Sequence, residues 1–272
     1  MTYKDLLDRL SKITPDEYEF EAKIFLENFT DKTISYIKIH PDFEIYSDSL
    51  ENALRKREEH IPLQYIIGKW DFYRQTYIVN ENCLIPRSDT EVLVEKSIEL
   101  LPKDAYFIDL CTGSGCIAIS TLCERNDTTA VMVDKFPKTL ELAKENAELN
   151  CVSHRVKPML FDVLNEEKNL DGMKFDAIIS NPPYIRPEVI QTLTEEVKKE
   201  PYAALNGGED GLIFYNKILA DYSIFLKEDG FYLFEIGYDQ GESLCELANK
   251  YNLVCKIIKD YSGNDRVAYI KK

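Results

Sequence analysis

Ser180-Asn181-Pro182-Pro183-Tyr184 follows directly on the apolar run Phe175-Asp176-Ala177-Ile178-Ile179. A proline has no N–H, fixes its own φ and drives the residue before it toward extended backbone. Asn181 and Pro182 are therefore expected to be held extended, leaving the Pro182 carbonyl and the Asn181 side-chain oxygen as acceptors with few competing donors. The ring of Tyr184 can lie flat against a conjugated planar group. Two acceptors and a stacking face suit an amino group conjugated to a carbonyl or to an aromatic ring. A plain proline-rich turn is the bland alternative, but the Asn, the Tyr and the placement at a strand end, where α/β sheets bind ligands, favour a site.

Upstream, Asp109-Leu110-Cys111-Thr112-Gly113-Ser114-Gly115-Cys116-Ile117-Ala118 joins an apolar strand pattern to a helical one. Gly113 and Gly115 let backbone approach a ligand, and the free N–H groups of the helix start attract polar atoms. Asp134 ends the next strand pattern, where a carboxylate can take both ribose hydroxyls. Alone, this loop also matches the dinucleotide fingerprint of a dehydrogenase. A nicotinamide enzyme, however, needs a second phosphate-facing half and a hydride-transfer residue, and an acceptor-only proline ledge at a later strand end does not suit it. An adenosyl sulfonium needs its methionine end at the glycine loop, its ribose at Asp134 and its adenine near the third strand end. There Asp162 can accept from the adenine amino group, and the Asn181 ledge lies where the methyl group emerges. Asp134 and Asp162 can also be read as helix caps.

The elements that must position these groups are legible in outline. Residues 1–67 read as short helices with short loops: Leu6, Leu7, Leu10 and Ile13 make one apolar face, and Thr14-Pro15-Asp16-Glu17 predicts a capped helix burying Phe20, Ile24 and Phe25. Further helical patterns run through Ile34 and Ile37 and through Leu50, Leu54 and Arg57. Residues 68–86 predict a hairpin linker, with strands 69–73 and 76–79 about Arg74-Gln75. Residues 87–272 alternate strand and helix, with strands at 106–110, 130–133, 156–160, 177–180, 231–235, 253–258 and 266–270. Such alternation predicts an α/β fold, a mostly parallel seven-stranded Rossmann-like sheet covered by helices, behind a small all-α domain.

Composition bounds the function. The 272 residues carry a formal charge of -15, which disfavours a surface that tracks phosphates. Seven cysteines without a Cys-x-x-Cys pair and only three histidines argue against a disulfide framework and a zinc site. Neither a signal peptide nor a membrane-spanning run is apparent, so a reducing cytoplasm is the expected compartment.

Pro62-Leu63-Gln64-Tyr65-Ile66-Ile67-Gly68, Leu84-Ile85-Pro86-Arg87-Ser88-Asp89-Thr90-Glu91, the glycine loop, Asn181-Pro182-Pro183-Tyr184, Glu200-Pro201 with Ala204-Leu205 and Gly207-Gly208, and Asp265-Arg266-Val267 together resemble the peptide-chain release factor glutamine methyltransferases over essentially the whole chain. The resemblance implies a class I methyltransferase fold and methylation of the glutamine in the Gly-Gly-Gln tripeptide of class 1 release factors, with S-adenosylmethionine as cofactor. It implies cofactor contacts from Asp109, Cys111, Thr112, Gly113, Ser114, Gly115, Asp134, Asp162, Val163 and Asn181. It also implies substrate contacts from Asn181, Pro182, Pro183 and Tyr184, with Asn181, Pro182 and Tyr184 catalytic. The family commonly has Gly where this chain has Cys111, and many members have an aromatic residue where it has Val163. No metal, nucleic acid or membrane is expected, and the chain is expected to be a monomer. The ledge would equally fit a flipped adenine of DNA or RNA or a ribosomal-protein glutamine, and a non-enzymatic cofactor-sensing role is the alternative outside catalysis.

Overall fold

The computed structural model describes residues 1–40, 43–165, 170 and 172–272. They form two compact units, Met1–Gly68 with Thr194–Lys199, and Lys69–Leu193 with Glu200–Lys272. Among the described residues no helix is long and apolar enough to cross a membrane.

The first unit contains α1 (Tyr3–Leu10), α2 (Tyr18–Phe29), α3 (Ile34–Ile39), α4 (Asp48–Glu58) and α5 (Leu63–Ile67). Leu6, Leu10, Ala22, Phe25, Leu26, Leu50 and Leu54 close its core, each Leu or Phe side chain contributing roughly 1.5–3 kcal/mol by leaving water. Two details differ from the sequence expectation. Thr14 ends the turn after α1, its N–H bonded to the Leu10 carbonyl, so α2 begins only at Tyr18 and has no side-chain cap. Phe20 is exposed because α2 turns Glu21 inward: buried Arg57 on α4 grips both its oxygens, Nε to Oε2 at 2.9 Å and Nη2 to Oε1 at 2.8 Å. Arg57 also holds Glu196 of the 194–199 segment at 2.6 Å. Unpaired charges are costly to bury, so the pairing dictates which face of α2 points in.

The second unit opens with a hairpin, β1 (Lys69–Phe72) and β2 (Gln75–Ile78). The turn falls at Tyr73-Arg74, one residue earlier than expected, because the Tyr73 N–H is taken by Glu91 Oε1 at 2.9 Å and leaves the ladder. There follow α6 (Glu91–Leu100), β3 (Tyr106–Leu110), α7 (Cys116–Glu124), β4 (Thr129–Asp134), α8 (Pro137–Leu149), β5 (Val156–Leu160), β6 (Phe175–Ser180), α9 (Pro187–Ile190), α10 (Tyr202–Leu205), α11 (Ile213–Asp221), β7 (Leu226–Glu235), α12 (Gly241–Lys250), β8 (Val254–Lys259) and β9 (Asp265–Lys271). The seven-stranded sheet runs β5-β4-β3-β6-β7-β9-β8, with only β9 antiparallel to its neighbours. Strands β3, β4 and β6 are almost wholly buried, as parallel strands covered on both faces must be.

Register does the positioning. Leu110 pairs with Ser180, and Ser180 pairs with Phe234. The residues that follow, Cys111, Asn181 and Glu235, therefore leave the carboxyl edge of the sheet at one level. The chain reverses its strand order between β3 and β6, which is where open α/β sheets form their ligand crevice.

Candidate active site

A cleft of about 850 Å³, counting its open mouth, lies at that edge. Cys111, Thr112, Gly113, Ser114, Asp134, Asp162, Val163, Asn181 and Pro183 line it, brought together from four strand ends. Asp109, Gly115, Pro182 and Tyr184 are not among the lining side chains. Asp109 sits fully buried beneath the loop, where its Oδ2 accepts from Thr112 Oγ1 at 2.6 Å. Burial pushes its carboxyl up to about 7. Gly115 packs the loop onto its surroundings: a Cβ there would stand 2.8 Å from Ile119 Cδ1 and 3.2 Å from Met132 Sδ. Cys111 has φ 59°, a left-handed backbone that glycine adopts without strain. That geometry accounts for the glycine common at this place in the resembling family.

Asp134 closes the loop from below. Its Oδ2 accepts from the Gly113 N–H at 3.1 Å and its Oδ1 from the Phe136 N–H at 3.0 Å. Each oxygen keeps a further lone pair, and burial raises the carboxyl above its ordinary range. Asp162 makes a local turn, its Oδ1 accepting from the Leu164 N–H at 2.9 Å, while Lys135 Nζ stands 3.7 Å from Oδ2. Val163 is buried, and its carbonyl accepts from the Tyr222 hydroxyl at 3.2 Å. Cleft walls of Leu84, Ile85, Val163 and Phe214 are apolar. A pocket with apolar walls, two carboxylates with spare acceptor capacity and a glycine-bordered helix start fits an adenosyl group with a ribose and a cationic tail.

The ledge is built from the rest of the chain. Asn181 Nδ2 donates to Thr90 Oγ1 at 3.3 Å, and the Tyr184 hydroxyl makes a long contact of 3.5 Å to Glu235 Oε1. Gln240 Nε2 donates to the Tyr184 carbonyl at 3.3 Å and to the Gly211 carbonyl at 3.2 Å, its own oxygen held by the Gly237 N–H. Gly207 presses on the ledge so closely that a Cβ would sit 2.5 Å from Tyr184 Cα and 2.8 Å from the Pro183 carbonyl oxygen. Buried Glu200 takes the Ile85 N–H at 3.0 Å and pairs with Arg87, fixing the wall formed by 84–87. Asp89 pairs with Arg266 at 3.0 Å. Asn146 on α8 ties the hairpin to the glycine loop, exchanging bonds with Ile78 and donating to the Ser114 carbonyl at 2.9 Å.

Thr90, Glu235, Gln240 and Asn146 are absent from the sequence-based candidates. Glu235 left one visible trace, an acidic residue closing the apolar run Phe231-Tyr232-Leu233-Phe234. Asn146 lies within a helix and Thr90 and Gln240 stand just before helix starts, where a solvent-facing or capping role is the ordinary expectation.

Comparison with known proteins gives a family and a fold. Residues 3–68 match the PrmC N-terminal domain and residues 88–228 the Methyltransferase small domain. A release factor glutamine methyltransferase of Aquifex aeolicus is 38% identical over 269 residues, covering 97% of this chain and 94% of its own. One of Clostridium botulinum is 36% identical over 285 residues, covering 100% of both. A methyltransferase structure from Pyrococcus furiosus, 18% identical, superposes with a TM-score of 0.53 over 71% of this chain and 86% of that one, a likeness of fold.

Proposed function

Because this chain belongs to the family of release factor glutamine methyltransferases, we propose that it methylates the side-chain amide nitrogen of the glutamine in the Gly-Gly-Gln tripeptide of class 1 peptide-chain release factors. S-adenosylmethionine, bound in the cleft, supplies an electrophilic methyl group on a sulfonium. Asp134 would hold the ribose, Asp162 and Val163 the adenine side, and the 111–115 loop the methionine end. The observation that carries the reading is the Asn181 amide, turned with its nitrogen on Thr90, which leaves its oxygen as an acceptor at the edge of the cleft.

An amide nitrogen is a poor nucleophile because its lone pair is delocalised into the carbonyl. Asn181 Oδ1 and the Pro182 carbonyl accept the two N–H bonds of the glutamine, orient its lone pair and stabilise the positive charge that develops there. As the new N–C bond forms, the methyl–sulfur bond would break with its electron pair staying on sulfur as a neutral thioether, and one N–H proton is then released to water, leaving the neutral methylamide. The ledge needs no histidine base for this. Residues 1–67 serve the protein substrate in this reading, and the site works in a single chain in the cytoplasm.

Incubating the protein with labelled S-adenosylmethionine and a class 1 release factor, followed by peptide mass spectrometry, tests the proposal. One methyl group on the Gly-Gly-Gln glutamine is expected. Label on nucleic acid, or on a ribosomal protein in preference to the release factor, contradicts it.

A further inference from the structure

The carboxyl of Glu235 is buried, and among the described residues its Oε2 has no hydrogen-bond donor in place. Such an orphan acceptor is rare in a folded interior and asks for an explanation. Thr90 is buried, at 2% exposure: its oxygen accepts from Asn181 Nδ2 at 3.3 Å, and its hydroxyl is a hydrogen-bonding neighbour of the Glu235 carboxyl. A hydroxyl has one proton and two lone pairs. With a lone pair committed to Asn181, the Thr90 proton is available for Glu235, whose other oxygen meets the Tyr184 hydroxyl.

We propose that Thr90 and Glu235 are positioning residues which set the flip state of the Asn181 carboxamide, so that its oxygen, and not its amino group, faces the substrate. This rests on the reading of Asn181 as the glutamine acceptor and adds the device that makes it one. An asparagine side chain is nearly symmetric in shape, and a free Asn181 would present its NH₂ in one of its two flip states. An NH₂ facing the incoming glutamine amide sets donor against donor. Glu235 draws the Thr90 proton to itself, Thr90 then offers Asn181 only an acceptor, and the flipped state would bring two acceptors face to face. The relay is built from three places distant in sequence, residue 90 before α6, residue 181 after β6 and residue 235 at the end of β7, and the strand register brings the last two level.

The surroundings of Glu235 suit this task and no other evident one. The Tyr215 hydroxyl is spent on the Glu235 backbone carbonyl at 2.7 Å. Arg266, a cation that acts on Glu235, is engaged by Asp89 at 3.0 Å and Asp260 at 3.1 Å. Among the described residues Glu235 is therefore left without an ion-pair partner of its own, and a hydroxyl donor is what its open oxygen can use. The same carboxyl also makes the long 3.5 Å contact with the Tyr184 hydroxyl.

The test is steady-state and single-turnover kinetics of Thr90→Val, Thr90→Ser and Glu235→Gln with a class 1 release factor, beside calorimetric titration of each variant with S-adenosylmethionine. Thr90→Val keeps the shape and removes the hydroxyl. It is expected to lower kcat by roughly 10-fold with the KM for methyl donor and its calorimetric affinity unchanged, and Thr90→Ser is expected to restore most of the rate. Glu235→Gln, which can present an amino group to Thr90, is expected to lower kcat without loss of donor affinity, and it decides the matter if Thr90→Val unfolds. Wild-type kcat in both Thr90→Val and Glu235→Gln, together with a disabled Asn181→Ala, overturns the relay while leaving the acceptor reading intact. Wild-type kcat in Asn181→Ala as well overturns both.

Discussion

The two loops that meet in the cleft are held in opposite ways. The glycine loop after β3 is fixed largely by its own neighbourhood: Thr112 bonds Asp109, the Gly115 N–H bonds the Thr112 carbonyl, and the nearest outside help, Asp134, comes from the adjacent strand. The Asn-Pro-Pro-Tyr ledge after β6 has almost no local support. Its partners are Thr90, Gly207, Gly211, Glu235 and Gln240, drawn from both sides of it in the sequence. The loop proposed to hold the cofactor is thus encoded as a motif, whereas the ledge proposed to orient the glutamine nitrogen is encoded by the fold.

Substitutions can break this contrast at either end. Asn181→Ala should have the largest effect, lowering single-turnover transfer by roughly 100- to 1000-fold, the scale of removing one preorganised polar group. Donor affinity, measured by calorimetry, should stay near wild type. Next, Gly207→Ala forces a methyl group against Tyr184 and Pro183 backbone, and a displacement of about 1 Å is enough to cost roughly 100-fold in kcat. Again the donor should bind normally, and a loss of donor binding instead would mean that the two loops are not held independently. Asp134→Ala reverses the pattern: donor Kd should rise roughly 10-fold or more, the scale of hydrogen bonds to a charged group, with kcat at saturating donor changed far less.

Two smaller effects sharpen the comparison. Burial holds the Glu235 carboxyl up at about 7, against an ordinary 4.5. The folded protein therefore binds an extra proton between those values, and the stability linked to the neutral carboxyl is lost as pH rises through the folded value. Glu235→Gln carries no such dependence, so its melting temperature relative to wild type should improve from about pH 5 to about pH 8. A parallel shift at both pH values would place Glu235 in a more polar setting than its burial indicates. Smallest of all, Cys111→Gly relieves a left-handed backbone at a gain in chain entropy of the unfolded state. The two oppose each other, and the net change in stability should stay within about 1 kcal/mol.

The same contrast explains what the sequence could and could not show. Strand 106–110 and the helix carrying Leu140, Ala143 and Ala147 are visible because a buried parallel strand and an amphipathic helix write their periods locally. Asp134, Gly113 and Asn181 are visible because motif spacing ties them to strand ends. Thr90 is not, since a threonine in a Ser-Asp-Thr-Glu run reads as a helix start. The role proposed for it depends on β6 and β7 carrying Asn181 and Glu235 to the same level. Phe20 misleads for the same reason: its helical spacing is apolar, but the Glu21–Arg57 pair, set by α4, decides which way α2 faces.

The most direct measurement is a structure of the protein with S-adenosylhomocysteine and a Gly-Gly-Gln peptide. The glutamine nitrogen should lie within hydrogen-bonding distance of Asn181 Oδ1 and the Pro182 carbonyl, with Asn181 Nδ2 still on Thr90. A glutamine side chain seated away from the ledge, or an Asn181 amino group turned toward it, would contradict the account.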